Sequence, residues 1–177
     1  DDGSPIALGG PRPRALLATL LLEPGRAVST DRLIDAVWGE PPPSGTGALQ
    51  VHVHALRKAL GPDRIETREP GYLLRVGPDE LDATRFERLA GDGERALASG
   101  EAAQASATLA EALACWRGPA LADFSYAPFA RVESQRLEEA RLAVLESRIE
   151  ADLRLGRHAS LVPGLEALVA TRPLRER

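Results

Sequence analysis

Apolar and polar positions change rhythm near the middle of the chain. Before Pro78 the apolar clusters are short and interrupted by breakers, and beyond it they lengthen into helical runs. In "RPRALLATLLLEPG", Leu16, Leu17, Leu20 and Leu21 recur at helical spacing until "EPG" imposes a turn. "VSTDRLIDAVWG" predicts a second helix. Ser29 or Thr30 is its N-cap, Asp31 lies in its first turn, and Leu33, Ile34, Val37 and Trp38 form its apolar face before Gly39. The following "EPPPSGTG" cannot be regular structure, because its prolines remove donors and its glycines loosen the backbone.

The stretch "LQVHVHALRKAL" is ambiguous at first sight. Its opening alternates like a strand, with two histidines between apolar residues, and its end favours helix. On a helix, Leu49, Val53, Leu56 and Leu60 form one apolar stripe, while Gln50, His54, Arg57 and Lys58 lie opposite with Val51 beside them. On a strand, Arg57 would join the apolar face, so the helix partitions the residues better. His52 and His54 then point about 200° apart and cannot share a metal ion. "RIETR" and "YLLRV" around "EPG" predict a β-hairpin. Helix, helix, proline loop, helix and hairpin is the order of a winged helix-turn-helix.

Beyond Asp79, "LDATRFERLAGDGERALASG" and "EAAQASATLAEALACWRG" read as a helical pair ending on Gly100 and Gly118. "APFARVESQRLEEARLAVLESRIEADLRLG" predicts one helix near 28 residues, and "RHASLVPGLEALVATRP" begins another. Paired helices with glycine turns and small packing residues resemble helical-repeat hairpins. The expected fold is mainly α: a winged helix-turn-helix of three helices plus a β-hairpin wing over residues 1–78, then an all-α, TPR-like domain over residues 79–177.

Composition narrows the function. The chain has 177 residues, 27% charged and 44% hydrophobic, in the globular range. Its single cysteine, Cys115, rules out an internal disulfide. "EALACWRGPAL" suggests a helical core position for it, and the simplest setting is a reduced cytoplasm. No apolar run approaches a membrane span, and no secretory signal opens the sequence. The opening "DDGSPIALGG" begins abruptly on what reads as the end of a strand, so a fragment of a longer protein is expected. The one lysine and the abundant Ala, Arg and Leu suit a GC-rich bacterial genome.

Net charge is −4, yet residues 1–78 hold nine basic and nine acidic side chains, and residues 44–76 hold five basic against three acidic. Positive charge concentrated there (Arg57, Lys58, Arg64, Arg68, Arg75) suits a local nucleic-acid footprint. Arg can pair with a guanine edge, Gln with adenine, and Val can touch a thymine methyl. The plainer alternative is a solvated helix face, and the hairpin together with the order of the elements favours DNA.

Specific motifs carry a resemblance. "RALLATLLL", "LIDAVWGEPPP", "LQVHVHALRKAL" and "PGYLL" resemble the OmpR-type winged helix of the SARP (antibiotic regulatory protein) family of actinobacterial transcription activators. "DATRFERLAGDGERAL", "ALACWRGPALADF", "RLEEARLAVLESRIEADLRLGRH" and "LVATRPLRER" resemble the bacterial transcriptional activation domain that such regulators carry next. Together the motifs span nearly the whole chain.

The resemblance implies a two-domain activator of antibiotic-type secondary-metabolite genes. It would bind promoter direct repeats near the −35 element as a homodimer and hold sigma factor and RNA polymerase there. Gln50, Val51, His54 and Arg57 would enter the major groove, with Lys58 on bases or phosphates and Arg68 of "TREPGY" in the wing. Ala55 stands where relatives often carry a polar or basic residue. The loop Glu40, Pro41, Pro42, Pro43 would face polymerase, or else simply connect two helices. The family's strands before "IALGG" and its helices past "PLRER" are largely missing from this sequence, and in many relatives an ATPase module follows. Two rivals therefore stand: part of a larger ATPase-linked regulator, or a helical scaffold that binds no DNA.

Other constellations offer no chemistry. "GGPRPR" lacks the Walker spacing and reads as a turn, although Arg14 could reach a phosphate. Trp116 and Phe124 read as packing, and Glu133, Glu138, Glu139, Glu146 and Glu150 as solvated helix surface. No nucleophile–base set or paired carboxylates stand out, so neither enzyme activity nor a cofactor is expected.

Overall fold

The computed structural model describes residues 6–40, 42, 45–158 and 161. The chain divides into two compact units, Asp1–Pro78 with Leu121–Gln135, and Asp79–Ala120 with Arg136–Arg177.

In the first unit, α1 (Pro11–Leu21) starts on two prolines whose missing N–H groups cost nothing at a helix start. The strand β1 (Ala27–Ser29) follows, then α2 (Thr30–Trp38) and α3 (Thr46–Leu60). Ser29 caps α2, its hydroxyl accepting from the Arg32 N–H at 3.3 Å. The hairpin strands β2 (Ile65–Arg68) and β3 (Gly71–Leu74) complete a sheet in the order β1-β3-β2, antiparallel throughout.

The strand β1 was not expected. A three-residue strand is too short to display a period, and its pairing of Val28 with Tyr72 comes from the far end of the unit. It dictates Gly71: a Cβ there would lie 2.1 Å from the Val28 carbonyl oxygen and 2.7 Å from the Thr30 nitrogen. The core is formed by Leu16 and Leu20 of α1, Leu33 of α2, Leu49 and Leu56 of α3, and Ile65 of β2, all essentially without exposure. Residues Ile6–Gly9 form no strand. The start of the chain therefore departs from the expected strand end among the described residues.

In the second unit, α4 (Asp82–Ala98) pairs with α5 (Ala102–Ala114) through a turn at Gly100, whose φ of 82° suits glycine. A Cβ on Gly93 would meet Leu109 Cγ at 2.6 Å, so the two helices approach closely there. Helix α5 ends at Ala114 rather than at Gly118. Cys115 is its half-buried C-cap, packed against the core but past the last helical residue, and Gly118 lies in the loop beyond. A 3-10 turn (Ala122–Phe124), counted with the first unit, leads to α6 (Pro128–Arg154), 27 residues long, whose part from Arg136 on belongs to the second.

Leu137, Val144 and Ala151 recur every seven residues on the buried side of α6. Phe86, buried in this core, meets Trp116 edge-to-face at 5.3 Å. Inside the unit, the Ser106 hydroxyl donates to buried Asp152 at 2.7 Å, and Arg157 reaches the same carboxylate at 3.0 Å. Several α6 glutamates are more than solvated surface: Glu138 accepts from the Ala120 N–H at 3.0 Å, and Glu150 pairs with Arg154 at 2.6 Å. The expected further helix at "RHASLVPG" lies almost wholly outside the described residues.

Candidate nucleic-acid interface

Helix α3 presents the surface on which function was expected. Leu49, Val53 and Leu56 are buried and pin the helix to the core, which turns the opposite face outward. There Gln50, His54 and Lys58 are exposed and make no hydrogen bond or ion pair among the described residues. Val51 stands with them at 66% exposure, an unusual place for a large apolar side chain. Ala55 is exposed on the same side.

Arg57 behaves differently. It is half-buried. Its Nε donates to the Ile65 carbonyl at 2.8 Å, its Nη2 to Thr67 Oγ1 at 2.9 Å, and its guanidinium stands 5.9 Å from the Tyr72 ring centroid. Arg64 and Arg75 are also engaged at the hairpin, Arg64 with the Arg75 carbonyl and Arg75 with Glu66. Of the five basic residues in this region, Lys58 and Arg68 are the two without a partner among the described residues. Arg68 is exposed at the end of β2, beside a turn that runs through a cis Glu69–Pro70 bond.

The two histidines part company. His52 is half-buried against the Trp38 ring at 5.5 Å, with the Arg12 guanidinium 5.8 Å from that ring. Burial, and secondarily the charge of Arg12, hold His52 below the ordinary histidine range. It therefore stays neutral at neutral pH. Sequence reasoning did not find this Arg12–Trp38–His52 stack. Its signal was faint: His52 follows Leu49 by three positions, at the margin of the apolar stripe.

Arg14 forms an ion pair with Asp123 at 2.6 Å. In the loop before α3, Glu40 is exposed and the Pro42 carbonyl accepts from the Gly45 N–H at 2.7 Å, while Pro41 and Pro43 lie outside the described residues.

An exposed polar helix face flanked by an arginine-bearing hairpin can address a duplex, and comparison with known proteins fits that geometry. The family model "Transcriptional regulatory protein, C terminal" matches residues 3–74, and "Bacterial transcriptional activator domain" matches residues 81–177. Regulatory protein DnrI of Streptomyces peucetius is 41% identical over 99% of this chain and 69% of its own length. The chain belongs to the SARP family of transcriptional activators.

Regulatory protein AfsR of Streptomyces coelicolor is 42% identical over 99% of the chain, which spans only 18% of AfsR. The solved structure of Mycobacterium tuberculosis EmbR in complex with a low affinity phosphopeptide superposes with a TM-score of 0.93 at 35% identity. That match covers 98% of this SARP chain and 48% of EmbR. The fold is accordingly an OmpR-type winged helix followed by the helical activator domain of SARPs.

Proposed function

We propose that this SARP chain binds promoter DNA through α3 and the β2–β3 wing and activates transcription there. The observation that carries the reading is the exposed set Gln50, Val51, His54 and Lys58, without side-chain partners among the described residues, held outward by a buried apolar stripe and flanked by Arg68, likewise without a partner among them. In the groove, Gln50 and His54 address base edges, Val51 meets a thymine methyl, and Lys58 contacts bases or phosphate. Arg68 enters the neighbouring minor groove, whose narrow A·T-rich form attracts arginine. Arg57 stands on the hairpin side of this face.

The activator binds direct repeats near the −35 element as a homodimer, holds sigma factor and RNA polymerase there, and works in the cytoplasm on a secondary-metabolite gene cluster. The rival in which an ATPase module follows in a longer chain leaves this surface unchanged. The scaffold rival does not: it requires no salt-dependent DNA binding. Selecting sites from a randomised duplex library and titrating the enriched duplex against salt tests the reading. Enrichment of one sequence, with affinity falling steeply as salt rises, supports it, whereas a flat response removes it.

A further inference from the structure

Three attachments hold the Arg57 guanidinium, and all three lie on the wing. The Ile65 carbonyl and the Thr67 hydroxyl belong to β2, and the Tyr72 ring belongs to β3. Its neighbour Lys58, one residue on, is exposed and has no partner among the described residues. Arg57 therefore leaves the recognition helix towards the hairpin, where its planar fork matches two acceptors two residues apart on one strand. To offer its Nε–Nη2 edge to a guanine it would have to release both.

We propose that Arg57 is a positioning residue: it locks the wing to α3, so that the recognition helix and the hairpin tip meet DNA as one rigid reader. This deepens the DNA-binding reading and rests on it. The connection is direct. Thr67 precedes Arg68, so holding the Thr67 hydroxyl holds the backbone from which Arg68 projects. The distance between what α3 reads and what Arg68 reads is then set before DNA arrives, and the ordering cost of the wing is not met on binding. Lysine keeps the charge of Arg57 and cannot make the two-pronged contact.

The test uses the full chain as wild type and as Arg57→Lys, Thr67→Val, Arg68→Ala and Arg57→Lys/Arg68→Ala. Each is run against the duplex enriched from the randomised library, with A·T-rich or G·C-rich flanks. Amide exchange is followed in the free proteins. The lock predicts faster exchange across residues 65–74 in Arg57→Lys and Thr67→Val. It also predicts a roughly fivefold or larger loss of the A·T-flank preference in both, with base preference elsewhere in the site kept. The double variant loses no more flank preference than Arg68→Ala alone, because an unlocked wing has already lost what Arg68 confers.

Three results overturn the proposal. One is loss of discrimination at a single base pair in Arg57→Lys, absent in Thr67→Val and additive with Arg68→Ala, which makes Arg57 a base reader. Another is an even loss on all sequences with flank preference intact, which leaves a purely structural role. The third is a wild type that binds no duplex, which removes the DNA reading itself and is seen before any variant is compared.

Discussion

Side chains of α3 differ in what surrounds them, and that difference sorts their roles. Gln50 is exposed and unpaired among the described residues, so Gln50→Ala removes only what it does to a ligand. On the selected site it should cost about 1–3 kcal/mol and relax preference at one adenine, read by competition with sites altered at each position. Lys58→Ala should weaken all sequences more evenly and lower the slope of log affinity against log salt by about one. Gly71 faces a different constraint. Its φ is ordinary, but a Cβ would collide with the backbone of β1, which cannot move aside as a flexible side chain could. Gly71→Ala should destabilise the first unit by about 1–3 kcal/mol in urea unfolding.

Whole elements carry the next predictions. In the second unit, α5 and α6 are joined through Asp152, a buried carboxylate on α6 that Ser106 of α5 and Arg157 both reach. Burial pushes its pKa up, but the Ser106 and Arg157 hydrogen bonds and the charges of Arg148 and Arg157 outweigh that and hold it below the usual range. A folded-state pKa below the unfolded one means stability present above the unfolded value and lost as pH falls through the folded one. Asp152→Asn should therefore lower the melting temperature at neutral pH and flatten its decline in acid. An acid limb as steep as wild type would show that other carboxylates set it. At the wing, the element pair α3–hairpin is joined by Arg57, and loosening that joint should change which flanks the protein prefers before it changes how firmly it folds.

At the scale of the molecule, the proposed DNA binding and activation should be separable. The loop that holds Glu40 and Pro42 precedes α3, and three consecutive prolines lower the entropy lost when a partner docks. If α3 lies in the groove as proposed, the segment just before it is expected to meet a neighbour on the promoter. Replacing Glu40 and Pro41–Pro43 with Gly and Ser should reduce run-off transcription while leaving the gel shift nearly intact. If both fall together, the loop only braces α3 and the polymerase contact belongs to the helical unit.

Period and punctuation were enough to locate the helices α1 to α6, though not the end of α5, because each buries residues of its own. Leu49, Val53 and Leu56 named α3 against its strand-like opening, Ser29 or Thr30 marked the start of α2 (the structure selects Ser29), and the apolar runs around "EPG" named the hairpin. The outward set Gln50, Val51, His54 and Lys58 was legible for the same reason, since a face opposite a buried stripe must face out.

Tertiary structure decided whatever depends on a partner distant in the chain. The strand β1 exists because β3 offers it an edge, and Gly71 is needed only because β1 comes so close. Cys115 packs against the core as its flanks suggested, but as the C-cap of α5 rather than within the helix. Arg14 met Asp123, 109 residues on, where the sequence offered a phosphate. Arg57 shares the outward face of α3 by periodicity, yet it is long enough to reach acceptors that the hairpin alone supplies. Periodicity reports the direction in which a side chain leaves its helix; where a long, charged one ends is settled by the acceptors that folding brings within its reach.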